Sequence, residues 1–476
     1  MKEGKNILEI TVTLNPDHAE PLYLQLYSFF KKEMVEGRLT PETKLPSKRK
    51  LSIHLGISQT TVETAYQQLI AEGYVRSEPR KGLFVTELEM DMLPFETAHT
   101  ENCESPQKVP KANPIKVDFG HGNIALNEFP FTTWRKLTVQ SLYEDECHLL
   151  LSGERQGDFP LRVEIAKYLY QSRGVRCEPD QILIGAGTQY MVTFLTMLIG
   201  RERVYAMENP GFHRSREAFK DQGVKLLGIN LDQDGIKMED LWNSEATVAY
   251  VTPSHQFPLG MVMPISRRME LLKWATETGS YIIEDDYDGE FRHTGRPIPS
   301  LQGLDHQGRV IYLGTFSKSL IPSLRISYMV LPTPLLSRYQ NRFSIYKQTV
   351  SRLHQQTLYL FMKEGHWSRH LQKMRTTYRR KQSTLLSLIT EKFGKHVTVI
   401  GVDSGLHILL EVHNTMTESE LLIHAEKVGV RVYPTSVYYD SNSQPLKPKV
   451  LIGYGGVTER EIHIGINLLK TAWELF

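Results

Sequence analysis

Residues 310–318 read Val-Ile-Tyr-Leu-Gly-Thr-Phe-Ser-Lys, a short apolar run rich in β-formers that is followed at once by hydroxyl side chains and a lysine. Four runs of the same kind precede it, at 181–184, 203–207, 247–251 and 281–284. Because such runs alternate with helical segments, they predict buried parallel strands of an α/β domain. Further runs at 397–400, 406–412 and 430–433 predict a smaller C-terminal α+β subdomain that begins near Ser337.

The residues that follow each strand are candidates for a ligand site, because open α/β sheets bind ligands beyond the carboxyl ends of their strands. A small-residue turn with Gly187, Thr188 and Gln189 opens a helix whose free amides can hold a phosphate. The other strand ends supply an aromatic residue, polar side chains, a carboxylate with a tyrosine, and a lysine between hydroxyls and an arginine: Phe212, His255, Gln256, Asp285, Tyr287, Thr315, Ser317, Lys318 and Arg325.

This combination of side chains fits pyridoxal 5'-phosphate. The amine of Lys318 can form a Schiff base with the cofactor's aldehyde, and the carboxylate of Asp285 can keep the pyridine nitrogen protonated. Arg325, Thr315 and the turn amides would offset the phosphate charge, and Phe212 would stack on the ring. Each residue alone has a plainer explanation: Phe212 as core, Asp285 as a solvated helix start, and Lys318 as one of many basic residues.

The first 86 residues carry a different pattern, three helices followed by a hairpin. Apolar residues recur at helical spacing over 21–37, and Ser47 and Ser58 are placed to cap two further helices separated by Gly56. Two short helices joined in this way predict a helix-turn-helix, with a hairpin over 74–85 as its wing. The apolar positions of these two helices are Leu51, Ile53, Leu55, Val62, Ala65, Tyr66, Leu69 and Ile70.

Charge gives an independent indication that this segment binds DNA. The whole chain has 56 basic and 54 acidic residues, a net charge of +2, so any basic surface has to be local. Between Lys44 and Gly82, seven basic residues stand against three acidic ones. The alternative is a small helical domain with solvated lysines. The candidates for phosphate and base contacts are Ser47, Lys48, Arg49, Gln59, Thr60, Thr61, Thr64, Arg80 and Lys81.

Composition excludes several classes of protein and predicts a domain order. With 40% hydrophobic and 23% charged residues, the 476-residue chain is not disordered as a whole. Cys103, Cys147 and Cys177 lack disulfide or metal-ligand spacing, so we expect no metal site and a reducing cytoplasm. We also expect no signal peptide and no membrane span. An acidic, proline-containing segment at 87–114 is expected to link a DNA-binding domain at 1–86 to the α/β domain at 115–476.

Both halves together resemble the MocR/GabR-type bacterial transcription regulators, in which a GntR-type winged helix-turn-helix is fused to an α/β fold-type I aminotransferase-like domain. The resemblance rests on Leu-Pro-Ser-Lys-Arg-Lys-Leu at 45–51, Pro-Ser-His-Gln-Phe-Pro at 253–258, Glu-Asp-Asp-Tyr-Asp at 284–288 and Gly-Thr-Phe-Ser-Lys-Ser-Leu at 314–320. It implies that Lys318 is the Schiff-base lysine, that Asp285 meets the pyridine nitrogen and that Tyr287 donates to the ring hydroxyl. It also implies that Ser317 joins the residues around the phosphate and that the protein is a head-to-tail homodimer.

Departures from the family pattern bear on what the protein recognises. Gln59 stands where the DNA-reading helix often has arginine, and Leu451 stands where related enzymes carry a carboxylate-binding arginine. Arg214 and Arg431 are therefore the substitute anchors for an effector, with an ordinary surface arginine as the alternative for each. His255 and Gln256, which follow the third strand, are further candidates for effector contact.

The leading hypothesis is a DNA-binding transcription regulator dependent on pyridoxal 5'-phosphate. A small amine or amino acid would displace Lys318 through an external aldimine and shift the winged helices on promoter DNA. The first alternative is an active aminotransferase with an accessory DNA-binding domain. The second is a DNA-binding protein whose fused domain serves only for dimerisation and binds no cofactor.

Overall fold

A computed structural model describes residues 12, 14–16, 18, 20–87, 114–293, 295, 298–440 and 447–474, apart from the side chains of 144–146. The chain divides into two compact units, Met1–Val109 and Pro110–Phe476. Most of the predicted linker at 87–114 lies outside the described residues, as does Cys103, so the predicted boundaries at 86 and 115 stay predictions. Among the described residues, no helix combines the length and apolar character that crossing a bilayer requires.

The first unit is three helices and a hairpin, as the sequence predicts. Its elements are α1 (Leu22–Val35), α2 (Lys48–Leu55), α3 (Gln59–Ala71), β1 (Val75–Glu78) and β2 (Gly82–Val85). Ser47 caps α2 by accepting the backbone N–H of Lys50, and Ser58 caps α3 in the same way. Gly56 ends α2 in the left-handed conformation, with φ 67°, and so separates the two helices of the helix-turn-helix.

One apolar core holds the first unit together. Its buried members include Leu26, Phe30, Leu51, Val62, Ala65, Tyr66, Leu69 and Val85. Two of the apolar positions named from the sequence lie outside this core, since Ile53 is 72% exposed and Ile70 is 37% exposed. Each lies one or two residues beyond a buried leucine, which rotates it by 100° or 200° around the helix and away from the core.

The second unit alternates helices and strands. Its described helices are α4 (Phe131–Gln140), α5 (Phe159–Arg173), α6 (Thr188–Ile199), α7 (His213–Asp221), α8 (Met238–Trp242), α9 (Ile265–Thr278), α10 (Thr333–Arg338), α11 (Arg352–Lys363), α12 (His366–Phe393), α13 (Glu418–Lys427) and α14 (Glu459–Ala472). Its described strands are β3 (Val117–Asp118), β4 (Ile182–Gly185), β5 (Val204–Asn209), β6 (Lys225–Asp232), β7 (Gly235–Ile236), β8 (Val248–Val251), β9 (Tyr281–Asp286), β10 (Val310–Thr315), β11 (Ser327–Val330), β12 (Val397–Ile400), β13 (His407–Val412), β14 (Val430–Arg431), β15 (Tyr433–Pro434) and β16 (Lys449–Gly453).

An eight-stranded mixed sheet forms the centre of this unit, in the order β4-β11-β10-β9-β8-β5-β6-β7. The five predicted strands are confirmed as β4, β5, β8, β9 and β10, and they all run in one direction. The apolar pattern did not predict β11, an antiparallel strand between β4 and β10, or β6 and β7 at the far edge. Because the five strands share a direction, their carboxyl ends meet at one edge of the sheet.

Apolar clusters cover both faces of this sheet. On one face, α6 and α7 pack against side chains that include Met207, Tyr250, Ile283 and Leu313. On the other face, α9 packs on Ala249 and Ile282, and α5 and α11 pack on Ile184, Tyr312 and Tyr328. Burial on both faces explains why the predicted strands are continuous apolar runs rather than alternating ones.

The C-terminal part forms the predicted smaller α+β layer. Its antiparallel sheet has the order β12-β13-β16-β15 and packs on α12, α13 and α14 through a cluster that includes Leu385, Ile408, Ile452, Ile466 and Trp473. The predicted strand at 430–433 is split in two. One piece, β14, pairs with β3 in parallel, and the other, β15, pairs with β16.

A buried ion pair fixes the end of β9, the strand that carries Asp285. Arg173, the last residue of α5, donates from Nε to Asp286 at 2.6 Å, and both side chains are less than 5% exposed. The hydroxyl of Tyr312 on β10 donates to the same Asp286 oxygen at 2.5 Å. The ion pair therefore connects α5 to the end of β9, and the Tyr312 hydrogen bond connects β10 to the same strand end, which carries the candidate site.

Replacing Arg173 with methionine should lower the free energy of unfolding by about 3–5 kcal/mol, because it leaves the Asp286 carboxylate buried without its cation. In the control Lys225→Met we expect a loss below about 1 kcal/mol, since the Lys225–Glu245 pair is exposed. Urea unfolding of the full-length variants, followed by circular dichroism, measures both losses. Equal losses in the two variants would contradict a special role for the buried pair.

Candidate functional site

Lys318 lies just past the carboxyl end of β10, and its ammonium group donates to the backbone carbonyl of His121. The pKa of Lys318 is lowered to about 8, chiefly by burial and also by the charge of Arg214, against the opposing effect of Asp288. Near neutral pH a lysine of this kind has a sizeable fraction of neutral amine. The neutral amine is the form that attacks an aldehyde.

Asp285 is buried near the end of β9 and accepts a hydrogen bond from the hydroxyl of Tyr250 on β8. Burial raises the pKa of Asp285 to about 7, and the neighbouring carboxylates of Asp286 and Asp288 add to the rise. Among the described residues no ion pair neutralises Asp285. A cationic group bound beside it would remove the cost of its charge, and a protonated pyridine nitrogen is such a group.

Tyr287 follows β9 and meets a buried histidine. Its hydroxyl oxygen lies 2.8 Å from Nδ1 of His255, and the same nitrogen lies 3.0 Å from each carboxylate oxygen of Asp288. Burial, together with the charges of Asp288 and Asp285, raises the pKa of Tyr287 well above 10, so its hydroxyl keeps its proton. The structure thus places His255, which the sequence offered as an effector contact, against Tyr287 and Asp288.

A glycine and an arginine form the candidate phosphate cradle. Gly187 caps the N-terminus of α6 with a left-handed φ of 97°. A Cβ at this position would lie 2.1 Å from the guanidinium group of Arg325, which donates to the Ala186 carbonyl at 3.3 Å. Thr188 and Gln189 form the first turn of α6, where backbone N–H groups have no partners within the helix. A guanidinium group at a helix N-terminus suits a phosphate.

Hydroxyl side chains hold the loop between β10 and β11. Oγ1 of Thr315 accepts from the backbone N–H of Ser317 at 3.2 Å and from the hydroxyl of Ser327 at 2.8 Å. These bonds tie the two ends of the loop that carries Lys318 and Arg325. The predicted phosphate ligands of this loop therefore lie on one constrained segment.

An aromatic wall lies beside Tyr287. The rings of Phe212 and Phe257 are parallel within 6°, with centroids 4.1 Å apart, and Tyr287 meets Phe212 edge-on at 4.7 Å. Phe212 is only partly buried. The wall is backed by apolar side chains that include Leu409, Tyr438 and Leu451. The position of the missing arginine is thus filled by a fully buried leucine.

Helix α7 connects several of these groups. Phe212 is its N-cap, and Ser215 lies 3.0 Å from the hydroxyl of Tyr250 that bonds to Asp285. Arg216 donates to the backbone carbonyls of 438 and 439, at 2.5 and 2.7 Å. The same short helix thus contacts the aromatic wall, the hydrogen bond to Asp285 and the turn that precedes Asp440.

The two candidate anchors for an effector have different surroundings. Arg214, in the first turn of α7, is exposed, and its charge lowers the pKa of both Lys318 and His121. Arg431 lies on β14 and pairs with Glu426 at 3.3 Å. Arg431 therefore already has a carboxylate partner, whereas the charge of Arg214 acts on the candidate lysine.

Gln256 is buried and holds the loop that follows β8. Its amide donates to the carbonyls of Pro210 and Phe257 at 2.9 and 2.7 Å, and its oxygen accepts the N–H of Leu259 at 3.1 Å. These bonds give Gln256 a local structural role. Its contact with an effector stays a prediction.

His255, Asp288 and His407 form a buried group whose possible ligand atoms lie within 4.8 Å of one another, close enough to hold a metal ion. One nitrogen of each ring already has a partner, since Nε2 of His407 faces the Pro258 carbonyl at 3.1 Å and Nδ1 of His255 faces Asp288. Hydrogen bonds to these two nitrogens therefore explain in large part why the three side chains lie close together, without a metal ion. The expectation of no metal site rests on cysteine spacing, which does not bear on such a group.

Three observations test whether these residues fit pyridoxal phosphate. Lys318 has an amine that loses its proton easily, Asp285 is a buried carboxyl group that lacks a cation, and Gly187 leaves room for the Arg325 guanidinium group at a helix N-terminus. The cofactor presents an aldehyde, a basic ring nitrogen and a phosphate. Each group of the cofactor therefore has a chemically matching group in the chain.

In the first unit, most of the predicted DNA contacts are exposed. The exposed residues are Ser47, Lys48, Arg49, Gln59, Thr60, Thr64, Arg80 and Lys81, whereas Thr61 is half-buried. Lys48 is paired with Glu63 across α2 and α3, and Lys81 is paired with Glu78 at 3.1 Å. Arg49 and Arg80 form no ion pair with any residue that the structure describes, which leaves their charges available to phosphates.

Some residues of the site were not predicted from the sequence. A hydroxyl-bearing residue in the apolar run 248–251 was the available signal for Tyr250, and a further carboxylate in 284–288 was the signal for Asp288. His121 lies 197 residues before Lys318, and no local pattern connects the two. Contacts of this kind depend on the fold as a whole.

Comparison with known proteins gives consistent matches to both units. The family described as "Bacterial regulatory proteins, gntR family" matches residues 22–85, and "Aminotransferase class I and II" matches residues 114–450. YdeL of Bacillus subtilis (strain 168), described as an uncharacterized HTH-type transcriptional regulator, is 46% identical over 472 residues, which cover 98% of this chain and 100% of YdeL.

Two further similarities concern a regulator and an enzyme. The probable rhizopine catabolism regulatory protein MocR of Rhizobium meliloti is 32% identical over 473 residues, covering 97% of this chain and 96% of that protein. The structure of the kynurenine aminotransferase of Pyrococcus horikoshii, solved in complex with PMP, is also similar, at 26% identity and a TM-score of 0.66. The match covers 76% of this chain and 91% of the enzyme's chain. The chain therefore belongs to the MocR/GabR-type regulators, which join a GntR-type helix-turn-helix domain to an aminotransferase class I and II domain.

Proposed function

We propose that this regulator binds pyridoxal 5'-phosphate and uses it to sense a small amine or amino acid. The observation that carries the proposal is that Asp285 and Lys318 come from the ends of adjacent parallel strands, since Leu313 of β10 lies opposite Asp285 of β9 and Lys318 follows three residues after the end of β10. One side chain is prepared to react with an aldehyde and the other to hold a cationic ring nitrogen. Both occur in the same chain as a helix-turn-helix.

Different residues of the chain would bind different parts of the cofactor. Lys318 would hold the aldehyde carbon, Asp285 the ring nitrogen and Tyr287 the ring hydroxyl, while Phe212 would cover the ring. The phosphate would be held by Gly187, Thr188, Gln189, Thr315, Ser317 and Arg325. When bound, pyridoxal phosphate supplies an electrophilic carbon for amino groups and an electron-accepting ring. The kynurenine aminotransferase of similar fold was solved with PMP, the amine form of this cofactor.

The effector would compete with Lys318 for the cofactor's carbon through its own amino group. If it carries an acid group, Arg214 is the favoured anchor, because it is exposed and its charge acts on Lys318. Arg431 is a second anchor, and Leu451 leaves its side of the site apolar. An effector that binds two arrangements of the protein with different affinities would shift its occupancy of promoter DNA.

We also propose that the protein is a homodimer that works in the cytoplasm, where its DNA target lies. The segment 126–159 exposes a concentration of large apolar side chains: Leu126, Phe131, Val139, Leu142, Tyr143, Leu150, Leu151 and Phe159. Monomeric proteins seldom expose so many together. A second copy of the chain is the occupant that agrees with the expected head-to-tail assembly.

An active aminotransferase with an accessory DNA-binding domain is the second candidate. Lys318 and Asp285 favour it, because the same two groups serve transamination. Leu451 disfavours it, since it removes a cation for the substrate carboxylate. Sustained turnover with a keto-acid acceptor would select this candidate over the regulator with an idle active site.

Lys318→Ala should abolish the absorbance of lysine-bound cofactor and the response of DNA binding to amines, while basal DNA affinity changes less than about twofold, since the helix-turn-helix is untouched. Absorbance spectra and fluorescence anisotropy with DNA upstream of the protein's own gene measure these effects. The control Lys381→Met removes another buried lysine, which bonds to the Gly455 carbonyl, and should retain the absorbance. An unchanged amine response in Lys318→Ala would refute the proposed route.

The rate at which the apoprotein takes up pyridoxal phosphate should rise with pH, reach half of its maximum near pH 8 and level off above about pH 9. The pKa of Lys318 is lowered to about 8, so half of its amine is neutral there and nearly all of it one unit higher, whereas an ordinary lysine titrates near 10.5. Stopped-flow absorbance after mixing the apoprotein with the cofactor gives this profile. A rate that still climbs steeply beyond pH 9.5 would rule out a depressed pKa.

Arg49→Ala should weaken binding to the promoter DNA by about five- to tenfold and reduce the slope of log affinity against log salt by about one, because one phosphate contact is lost. The control Arg38→Ala removes an exposed arginine that is already paired with Glu33, and should leave the slope unchanged. Anisotropy titrations at several salt concentrations measure both. An unaltered slope in Arg49→Ala would exclude Arg49 from the contact.

A further inference from the structure

We propose that Asp288 and His255 form a dyad that turns the hydroxyl proton of Tyr287 toward the ring oxygen of the cofactor. The inference rests on the proposed binding of pyridoxal phosphate. It makes His255 and Asp288 positioning residues, which act on the cofactor only through Tyr287.

The first step is the direction of the hydrogen bonds at His255. An ionised carboxylate can only accept, so Nδ1 of His255, which lies 3.0 Å from both oxygens of Asp288, has to carry a proton. The hydroxyl oxygen of Tyr287 lies 2.8 Å from the same nitrogen. Because Nδ1 already bears hydrogen, it cannot accept from Tyr287, and the hydroxyl oxygen of Tyr287 shares this single N–H with Asp288 as an acceptor.

The second step is the fate of the hydroxyl hydrogen of Tyr287. The pKa of Tyr287 is raised well above 10 by burial and by nearby carboxylates, so this hydrogen stays on the oxygen. Within the described residues, the hydroxyl has no other hydrogen-bond partner than His255. The hydroxyl hydrogen of Tyr287 therefore has no acceptor among the described residues. The ring oxygen of pyridoxal phosphate is an acceptor of the right kind.

Packing holds the dyad in one orientation. A Cβ at Gly405 would lie 2.0 Å from Cε1 of His255 and 2.7 Å from a carboxylate oxygen of Asp288, so the glycine backbone lies directly against both side chains. Nε2 of His255 is buried without a hydrogen-bond partner among the described residues. An unsatisfied buried nitrogen is a cost for the fold, which favours a functional reason for keeping a histidine here.

The charges around the dyad favour a protonated tyrosine. The titratable groups that act on Tyr287, His255 or Asp288 are Glu208, Asp285, Asp286, His293, Lys318, His407 and Tyr454. The four carboxyl groups that act on Tyr287, with Asp288 among them, all raise its pKa and so disfavour its anion. The dyad therefore directs the proton and does not remove it.

Loss of the dyad should raise the pH at which the absorbance of the bound cofactor changes. A donor to the ring oxygen stabilises its anionic form and so lowers the pKa of the proton that the oxygen shares with the neighbouring nitrogen. In His255→Phe, Tyr287 is free to donate to Asp288 instead. We expect the transition to rise by about one pH unit or more, as in Tyr287→Phe.

Further variants separate this role from a merely structural one. The double variant His255→Phe/Tyr287→Phe should show no rise beyond that of either single change, because both remove the same bond. His255→Asn keeps a donor near the position of Nδ1 and should restore the transition. Asp288→Asn should give a smaller rise and serves as the readout if His255→Phe does not fold. His370→Gln, a buried histidine bonded to the Ser319 carbonyl, is the control and should change nothing.

The experiment is a spectrophotometric pH titration of the full-length protein loaded with pyridoxal phosphate, with and without EDTA. An unshifted transition in both His255→Phe and Asp288→Asn would overturn the proposal, as would additive rises in the double variant. A wild-type transition that moves on chelation would also overturn it, because the cluster with His407 would then hold a metal ion. If the unmodified protein shows no cofactor absorbance, the proposed function itself fails, and this inference fails with it.

Discussion

The large unit depends on how it buries carboxyl groups at the end of one strand. Residues 284–288 hold four of them, and all four are buried. Each has its own partner: Glu284 accepts the N–H groups of Leu301 and Gln302, Asp285 meets Tyr250, Asp286 meets Arg173, and Asp288 meets His255. Among the described residues, only Asp286 of these four is paired with a permanently charged cation. Burial, with a smaller contribution from the neighbouring carboxylates, raises the pKa values of Glu284 and Asp285 to about 7 and makes this strand end receptive to a cationic ring nitrogen.

The central strands could be predicted because they are buried on both faces and are therefore continuous in apolar character. Of the strands that were missed, β6 lacks this signature, because it lies near the edge of the sheet and mixes exposed with buried positions. Strand β11 is buried at all four positions and was missed although it carries the signature; it directly follows the loop that carries Arg325. Residues placed directly after a predicted strand, such as Lys318 and Asp285, could be found because strand direction alone fixes which edge of the sheet they reach.

The contacts that adjust the site could not be predicted, since they join residues far apart in the chain. The carbonyl of His121 that holds Lys318 and the hydroxyl of Tyr250 that holds Asp285 come from other elements, and only the packed sheet brings them together. Local signals were sufficient in the small unit, where Ser58 caps α3 within three residues. They overstated the core there, because Ile70 is apolar but faces away from it.

Helix α7 is only nine residues long, yet it is anchored on three sides: through Phe212 to the aromatic wall, through Ser215 to Tyr250, and through Arg216 to the carbonyls of 438 and 439. A slide or rotation of the helix would break at least one of these bonds. The helix therefore holds the Phe212 ring and the exposed Arg214 at a fixed distance from the strand ends. Ligands of different length would then be distinguished by where their second functional group lies along that fixed distance.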